Sequence, residues 1–482
     1  MNNFFNRNNE LTQLRTCYKN NDHGALVILY GRRRLGKTSL LREFVRDLPH
    51  TYFMADRAGE HALMTSLAIS MAVSLDEPLL QAVDYPSWYE LFSAFDRLRP
   101  KDRKFILIFD EYQYLCQVQP AFSSFIQKWW DEHWQHDNIM LVLCGSITSM
   151  MYRETMTESA PLYGRASLQL LLSPMEYPHV QDFLPGRQEN ELIEMYSLSG
   201  GVPRYLKLLR SYDNFADALK GLVLSPSGIL FQEARYLLHE EISTPNTCWS
   251  ILNALGSGVG RISELGSRLK LPANQLTRYI DLLRDLFLVR REVPVLEKNP
   301  HTSKKGYYIV ADPFLRLWFG SVYPYESFLE FGQADLIMKR LMSMVNTHIT
   351  YCFEEMCRTY VRQNHIADCV RVGRQWGKDY EIDVAGVDIE NRLCLIGECK
   401  WSKKPVGLSV LIDLKSKVKG EKLPVASEWR IILFSRSGFT HDLTKEAMKD
   451  GRIILVGSLF DRKYSAALHR KAIRLPSIPK YS

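Results

Sequence analysis

Long hydrophobic runs are absent from this chain of 482 residues. No stretch approaches the roughly 20 apolar residues of a membrane-crossing helix, so no membrane partner is expected. The opening "MNNFFNRNNELTQL" has neither a basic n-region nor an apolar core, which argues against a secretory leader. Cysteine is sparse: nine residues stand singly, with no CxxC pair and no zinc-ligand spacing. That usage excludes a disulfide scaffold and suits thiols buried in a reducing cytoplasm. Internal repeats and low-complexity tracts are also missing. What is present is ordinary globular material, 46% hydrophobic and 24% charged. A chain of this length is expected to fold as two to four domains.

The net charge of +7 is unevenly spread. Residues 346–482 hold 24 Lys and Arg against 16 Asp and Glu, whereas residues 1–345 hold 37 against 38. A polyanion such as DNA is therefore an expected partner of the C-terminal segment, against the alternative of a merely soluble basic domain.

Residues 20–200 alternate short apolar strands with longer amphipathic stretches, the pattern of an α/β domain with a parallel sheet. Within "LVILYGRRRLGKTSLL" stands G-x-x-x-x-G-K-T, with Gly31, Gly36, Lys37 and Thr38 in place after a strand and before a helix. Glycines let the backbone, here Gly31, Arg32, Arg33, Arg34, Leu35 and Gly36, wrap a phosphate, and the helix N-terminus from Lys37 through Ser39 holds its charge. Lys37 is expected on the β- and γ-phosphates of ATP and Thr38 on Mg²⁺. The strand "FILIFDE" ends in Asp110, expected beside the Mg²⁺ shell, and Glu111, expected to polarise the attacking water. "IMLVLCGS" puts Ser146 at a third strand tip, as a γ-phosphate sensor or a plain turn. Arg165 in "PLYGRAS" suits an arginine that stabilises transition-state charge, though a solvated loop arginine reads the same. Arg204 in "GGVPRYL" is a similar candidate.

In order, "FFNRNNEL", "GRRRLGKTSL", "ILIFDEYQYL", "LVLCGSITSMM", "PLYGRASLQLLLSPM" and "SGGVPRYL" resemble the archaeal-type P-loop ATPases of the AAA+-related STAND group. The resemblance implies an ASCE-type ATPase core with a helical lid, and places Phe5, Arg7 and Glu10 near the adenine. The middle segment, "TCWSILNALGSGVGRISELGSRLKLPANQLTRYIDLLRDLFLVRREVPV", reads as three helices and a wing, a winged helix-turn-helix pattern in which Asn274, Gln275, Arg278, Arg290 and Arg291 could face DNA.

Near the end, the apolar strand "LCLIGECKW" is interrupted by Glu398 and Lys400, two residues apart and so on one face. Asp383 interrupts the preceding strand in the same way. The order helix, three strands, helix, strand with D…ExK resembles the restriction-endonuclease-like PD-(D/E)xK fold. That resemblance implies Asp383 and Glu398 as metal ligands helped by Glu354, with Lys400 positioning water or stabilising charge at phosphorus; the proline usual before the Asp is replaced by Ile382. "WGKDYEIDVAGV…GECKW" also resembles the domain of unknown function commonly fused to these ATPases.

The expected architecture is α/β: an ATPase core over 1–180, a helical lid over 181–243, a winged helix with an aromatic linker over 244–344, and a nuclease-like domain over 345–482. Two main readings and a weaker third stay open. One is an ATPase that couples nucleotide state to DNA engagement, with metal-dependent cleavage as an extension. The other is a nucleotide-controlled signalling or assembly switch, self-associating or bound to a protein partner, with a catalytically inactive tail. A transcription regulator acting through the winged helix is a third.

Overall fold

The computed structural model describes residues 4–20, 23–146, 160–242 and 245–460, and the chain divides into two compact units. The first comprises residues 1–175, 202–208 and 235–245; the second takes in 176–201, 209–234 and everything from 246 onward. The stretch read as a lid over 181–243 is thus shared between the units rather than forming a body of its own.

The first unit is built on a five-stranded parallel sheet. Its strands are β1 (Ala25–Tyr30), β2 (His50–Met54), β3 (Phe105–Asp110), β4 (Ile139–Gly145) and β5 (Leu168–Leu171), in the order β2-β3-β4-β1-β5. β3 and β4 are buried from end to end and β1 everywhere but Tyr30, as a sheet covered on both faces requires. Leu26, Ile28, Leu107, Phe109, Leu141 and Leu143 turn one face toward Phe92, Phe95 and Trp134 of the flanking helical segments. Because every strand runs the same way, the loop after β1, the end of β3 and the end of β4 lie at one edge. Helix α1 (Lys37–Phe44) leaves the loop directly, and helix α2 (Glu233–Glu241) reaches this unit with its residues from 235 onward.

In the second unit, helices Pro245–Gly256, Ile262–Leu269 and Ala273–Asp285 precede an antiparallel pair, β6 (Val289–Glu292) and β7 (Tyr307–Val310). Trp249 packs edge-on against Trp318, Phe319 and Tyr323, so the aromatic stretch after β7 is core material for the first of these helices. Helix α3 then runs unbroken from Ala334 to Gln363. The boundary expected at residue 345 falls inside it, because nothing between 334 and 363 breaks a helix: the stretch holds no Gly and no Pro.

A second five-stranded sheet follows, with β8 (Arg371–Trp376), β9 (Glu381–Val387), β10 (Leu393–Lys400), β11 (Val425–Ser435) and β12 (Ile453–Val456). β8, β9 and β10 are antiparallel neighbours, while β10, β11 and β12 are parallel. Helix α4 (Leu408–Gly420) supplies the crossover from β10 to β11 and buries Leu411, Leu414 and Val418. The basic excess of the tail is mostly beyond this sheet: residues 461–482, outside the described residues, carry six Lys and Arg and one Asp.

Candidate functional site

At the tip of β1 the loop 31–36 turns into α1 without a side-chain cap, leaving the helix N-terminal amides for another acceptor. Gly31 is required by close approach, since a Cβ there would stand 2.5 Å from the Leu172 carbonyl oxygen. Gly36 is required by conformation, with φ of 89° and open space where a Cβ would go. Lys37 is buried and folds back, its Nζ donating to the carbonyls of Gly31 at 2.8 Å and Arg32 at 3.2 Å. Thr38 Oγ1 donates to Asp110 Oδ2 at 2.7 Å. Tyr52, on the edge strand β2, donates its hydroxyl to the same oxygen, and burial together with the Asp110 charge pushes its phenol far up. Glu111 stands in the left-handed region at φ 57°, a strained turn for a non-glycine residue, and accepts from the Gln113 amide. Ser146 is fully buried at the tip of β4 and its Oγ meets no hydrogen-bond partner among the described residues. Ser39 is exposed on the first turn of α1.

The loop is strongly cationic. Burial lowers the Arg34 pKa, and the neighbouring Arg204 and Arg32 charges lower it further. Arg33 bridges Tyr114 Oη at 2.7 Å and Glu240 at 3.3 Å. Glu241 reaches the loop backbone: its Oε1 accepts from the Arg33 amide at 3.4 Å, while its Oε2 is buried with no hydrogen bond among the described residues. Burial raises the Glu241 pKa, with the Lys37 charge pulling the other way. Arg7 donates to the carbonyls of Leu35 at 3.3 Å and Ser173 at 2.6 Å and pairs with Glu10 at 2.8 Å, so it fastens the loop's backbone. Phe5 is half-buried just before it.

Arg165 lies elsewhere. It precedes β5, which enters the sheet with Leu168 beside Val27, so it sits at the edge opposite the phosphate loop. There it is held by Asp131 through two bonds of 2.8 Å and by the Pro161 carbonyl at 3.0 Å. The expectation that Arg165 serves this loop is corrected: the parallel strand direction puts the start of β5 and the end of β1 a strand length apart.

The second cluster surrounds the tips of β9 and β10. Asp383 Oδ2 accepts from the Cys399 amide at 2.9 Å, joining the two strands. Glu398, 8% exposed, takes Lys400 Nζ on one oxygen at 2.8 Å and Lys417 Nζ, from α4, on the other at 3.2 Å. Burial and the Glu398 charge raise the Asp383 pKa; burial and the Asp383 charge raise that of Glu354 on α3, against Arg358 at 3.9 Å. Burial disfavours the Lys400 cation, yet Glu398 and Asp383 hold its pKa above the ordinary value. The three carboxylates therefore feel one another, but among the described residues no three His, Cys, Asp or Glu are gathered to hold a metal ion. The oxygen donors suit a hard cation such as Mg²⁺, whereas the arrangement, with both Glu398 oxygens engaged by lysines, does not. The front site differs: a hydroxyl and a carboxylate 2.7 Å apart beside an open phosphate cradle fit a Mg²⁺ ion that keeps most of its waters.

Residues 4–209 match an ATPase domain predominantly from Archaea. This ATPase domain contains the whole phosphate loop, Asp110, Glu111 and Ser146. Residues 318–415 match archaeal and bacterial proteins of unknown function, a span that includes Glu354, Asp383, Glu398 and Lys400 but stops short of Lys417. The uncharacterized protein MJECL04 of Methanocaldococcus jannaschii is 27% identical over 403 residues, covering 83% of this chain and 87% of its own. Among solved structures, the Walker-type ATPase paby2304 of Pyrococcus abyssi is similar in fold, with a TM-score of 0.52 and 22% identity over 66% of this chain and 96% of that one. The ORC2 protein of Aeropyrum pernix, in ADPNP and ADP complexes, gives 0.44 and 15% over 71% and 93%. No helix among the described residues is long and apolar enough to cross a membrane.

Sequence reasoning passed over Tyr52, Tyr114 and Glu241 around the ATPase domain's loop, and Lys417 in the tail. Glu241 lies 204 positions beyond Lys37 and carries no motif, so only the fold brings it there. Of the residues read for DNA, Asn274, Gln275 and Arg278 are exposed. Arg290 and Arg291 are engaged instead, the first by Glu292, Glu355 and Tyr351, the second by the carbonyls of Pro300, His301 and Ser303.

Proposed function

We propose that the protein binds and hydrolyses ATP at the loop 31–39 and uses the state of that site to govern DNA engagement by its C-terminal unit. The arrangement of Lys37, Thr38 and Asp110 at one sheet edge supports the first half of this reading most directly. Bound triphosphate takes over the Lys37 ammonium from the Gly31 and Arg32 carbonyls and accepts from the amides at the start of α1. Thr38 and Asp110 would hold Mg²⁺, which would supply positive charge against the phosphate oxygens. Glu111 orients the attacking water, and Ser146, whose hydroxyl meets no partner among the described residues, reports on the γ-phosphate side. Arg204 adds positive charge beside Arg34.

DNA engagement rests on the basic excess after residue 346 and on exposed Asn274, Gln275 and Arg278. Retention of the full chain on duplex DNA should fall steeply with salt and depend on nucleotide. Retention that is absent at low salt, or indifferent to ATP and ADP, removes this half of the reading. Cleavage is an extension: it requires Lys417 and Lys400 to leave Glu398, so Mg²⁺- or Mn²⁺-dependent nicking that Asp383→Asn abolishes would establish it.

A second reading is favoured by the same lysines. With both Glu398 oxygens neutralised and no metal ligands gathered among the described residues, the tail serves as a catalytically silent interaction module of a nucleotide-controlled switch. It predicts nucleotide-dependent self-association by light scattering, with no nicking under any divalent cation.

A further inference from the structure

All nine cysteines are thiols, and two of them stand apart from the rest. Cys369 Sγ and Cys394 Sγ are 2.9 Å from each other across 25 positions of sequence. Two local features put them there. The pairing of β10 slips between Leu393 and Leu395 against both β9 and β11, so Cys394 is the surplus residue of a bulge and leaves the strand's alternation. Cys369 lies just ahead of β8 over Gly386, where a Cβ would come within 2.3 Å of its sulfur; only glycine leaves that room. Either thiol can donate to the other, and the hydrogen bond between them lowers the pKa of Cys394 and raises that of Cys369. Cys369 is half-buried and Cys394 is 6% exposed, so the pair lies near the surface with Cys369 the more accessible sulfur.

We propose that Cys369 and Cys394 are a site of reversible oxidation, a dithiol that hydrogen peroxide converts to a disulfide. The Cys394 thiolate attacks one peroxide oxygen, the O–O bond breaks, and Cys394 becomes a sulfenic acid as hydroxide leaves. Cys369 sulfur then attacks Cys394 sulfur and expels the second oxygen as hydroxide. The Cys369 proton and the one released when Cys394 ionised complete two waters. Two thiols and one peroxide give one disulfide and two waters. The bond closes the segment that carries β8, β9 and Asp383. Another neighbouring pair, Cys357 and Cys399, has both members buried, at 0% and 3% exposed. This inference does not depend on the DNA reading.

Full-length protein treated with stoichiometric hydrogen peroxide at neutral pH should yield, on non-reducing peptide mapping, one cross-linked peptide joining residues 369 and 394, two hydrogens lighter and restored by dithiothreitol. Cys369→Ser should let a sulfenic acid accumulate at Cys394, trapped by dimedone, while Cys394→Ser should abolish both products. ATP turnover of each variant, unchanged from the parent chain, reports that the ATPase domain remains folded. The proposal is overturned if the linked peptide does not form while Cys17 is oxidised, or if Cys394→Ser consumes peroxide as fast as the parent.

Discussion

The phosphate loop and the tips of β9 and β10 use the same residue types, a lysine and carboxylates at strand ends, in opposite electrostatic settings. At the loop, Asp110 is met by neutral hydroxyl donors from Thr38 and Tyr52, and Lys37 rests on carbonyl oxygens. Neutral partners are surrendered cheaply to a phosphate or a hydrated cation. In the tail, Glu398 is met by two ammonium groups while Asp383 and Glu354 press on each other. Ion pairs and crowded carboxylates must be broken or deprotonated before a cation can enter. The first site is arranged to receive a ligand; the second holds itself neutral.

Breaking this contrast at its strongest point means removing Lys37. Lys37→Ala should lower ATP turnover by about 100- to 1,000-fold, the usual cost of one preorganised charge on a transferring group. Phosphate release measures it, and duplex retention at low salt should persist but lose its dependence on nucleotide. Turnover within a few-fold of the parent would detach the loop from the chemistry.

The tail should answer to pH through its crowded carboxylates. Asp383 and Glu354 have folded-state pKa values above their ordinary 3.8 and 4.5, so the fold favours their protonated forms. Their stabilising contribution is full below those ordinary values and is lost as pH rises through the raised ones. Without divalent cations, melting of the C-terminal unit should therefore rise as pH falls from neutral toward 5. Asp383→Asn should flatten that slope and raise Tm at pH 8 by a few degrees, since about 1 kcal/mol moves a domain of this size by ~2–4 °C. A steeper slope in the variant would reverse the assignment.

Within the front site, Glu241 repeats the tail's habit of setting a buried anion beside a lysine. Glu241→Gln keeps the Arg33 amide bond and removes the charge, so ADP should bind more tightly by about fivefold, on the order of 1 kcal/mol. Titration calorimetry decides it. Weaker binding would make Glu241 a support of the Lys37 position rather than a competitor for phosphate.

Much of this contrast was open to reading in the chain. The G-x-x-x-x-G-K-T loop, the acid-ended strand and the spacing of Glu398 and Lys400 are local signals, and parallel strands carry their tips to one edge. Lys417 and Glu241 were beyond reach because each arrives from a distant helix with no pattern of its own. The continuity of α3 across residue 345 was missed for a different reason. A change of character from aromatic linker to mixed α/β suggested a boundary, yet a helix needs only the absence of breakers to run through one.

Arg165 sharpens the comparison by its expected silence. A loop arginine after glycine reads as a charge-stabilising residue, but strand direction sets it at the sheet edge away from Lys37, paired with Asp131 at 2.8 Å. The pair is partly exposed on both sides, 29% and 39%, so water screens it. Such pairs contribute about 0.5 kcal/mol or less. Arg165→Ala should therefore leave turnover of the dilute, unassembled protein within about twofold and move Tm by only ~1 °C. If turnover instead drops only at protein concentrations where light scattering detects assembly, the arginine acts on a second copy of the chain, and the edge opposite the phosphate loop becomes the surface through which copies meet.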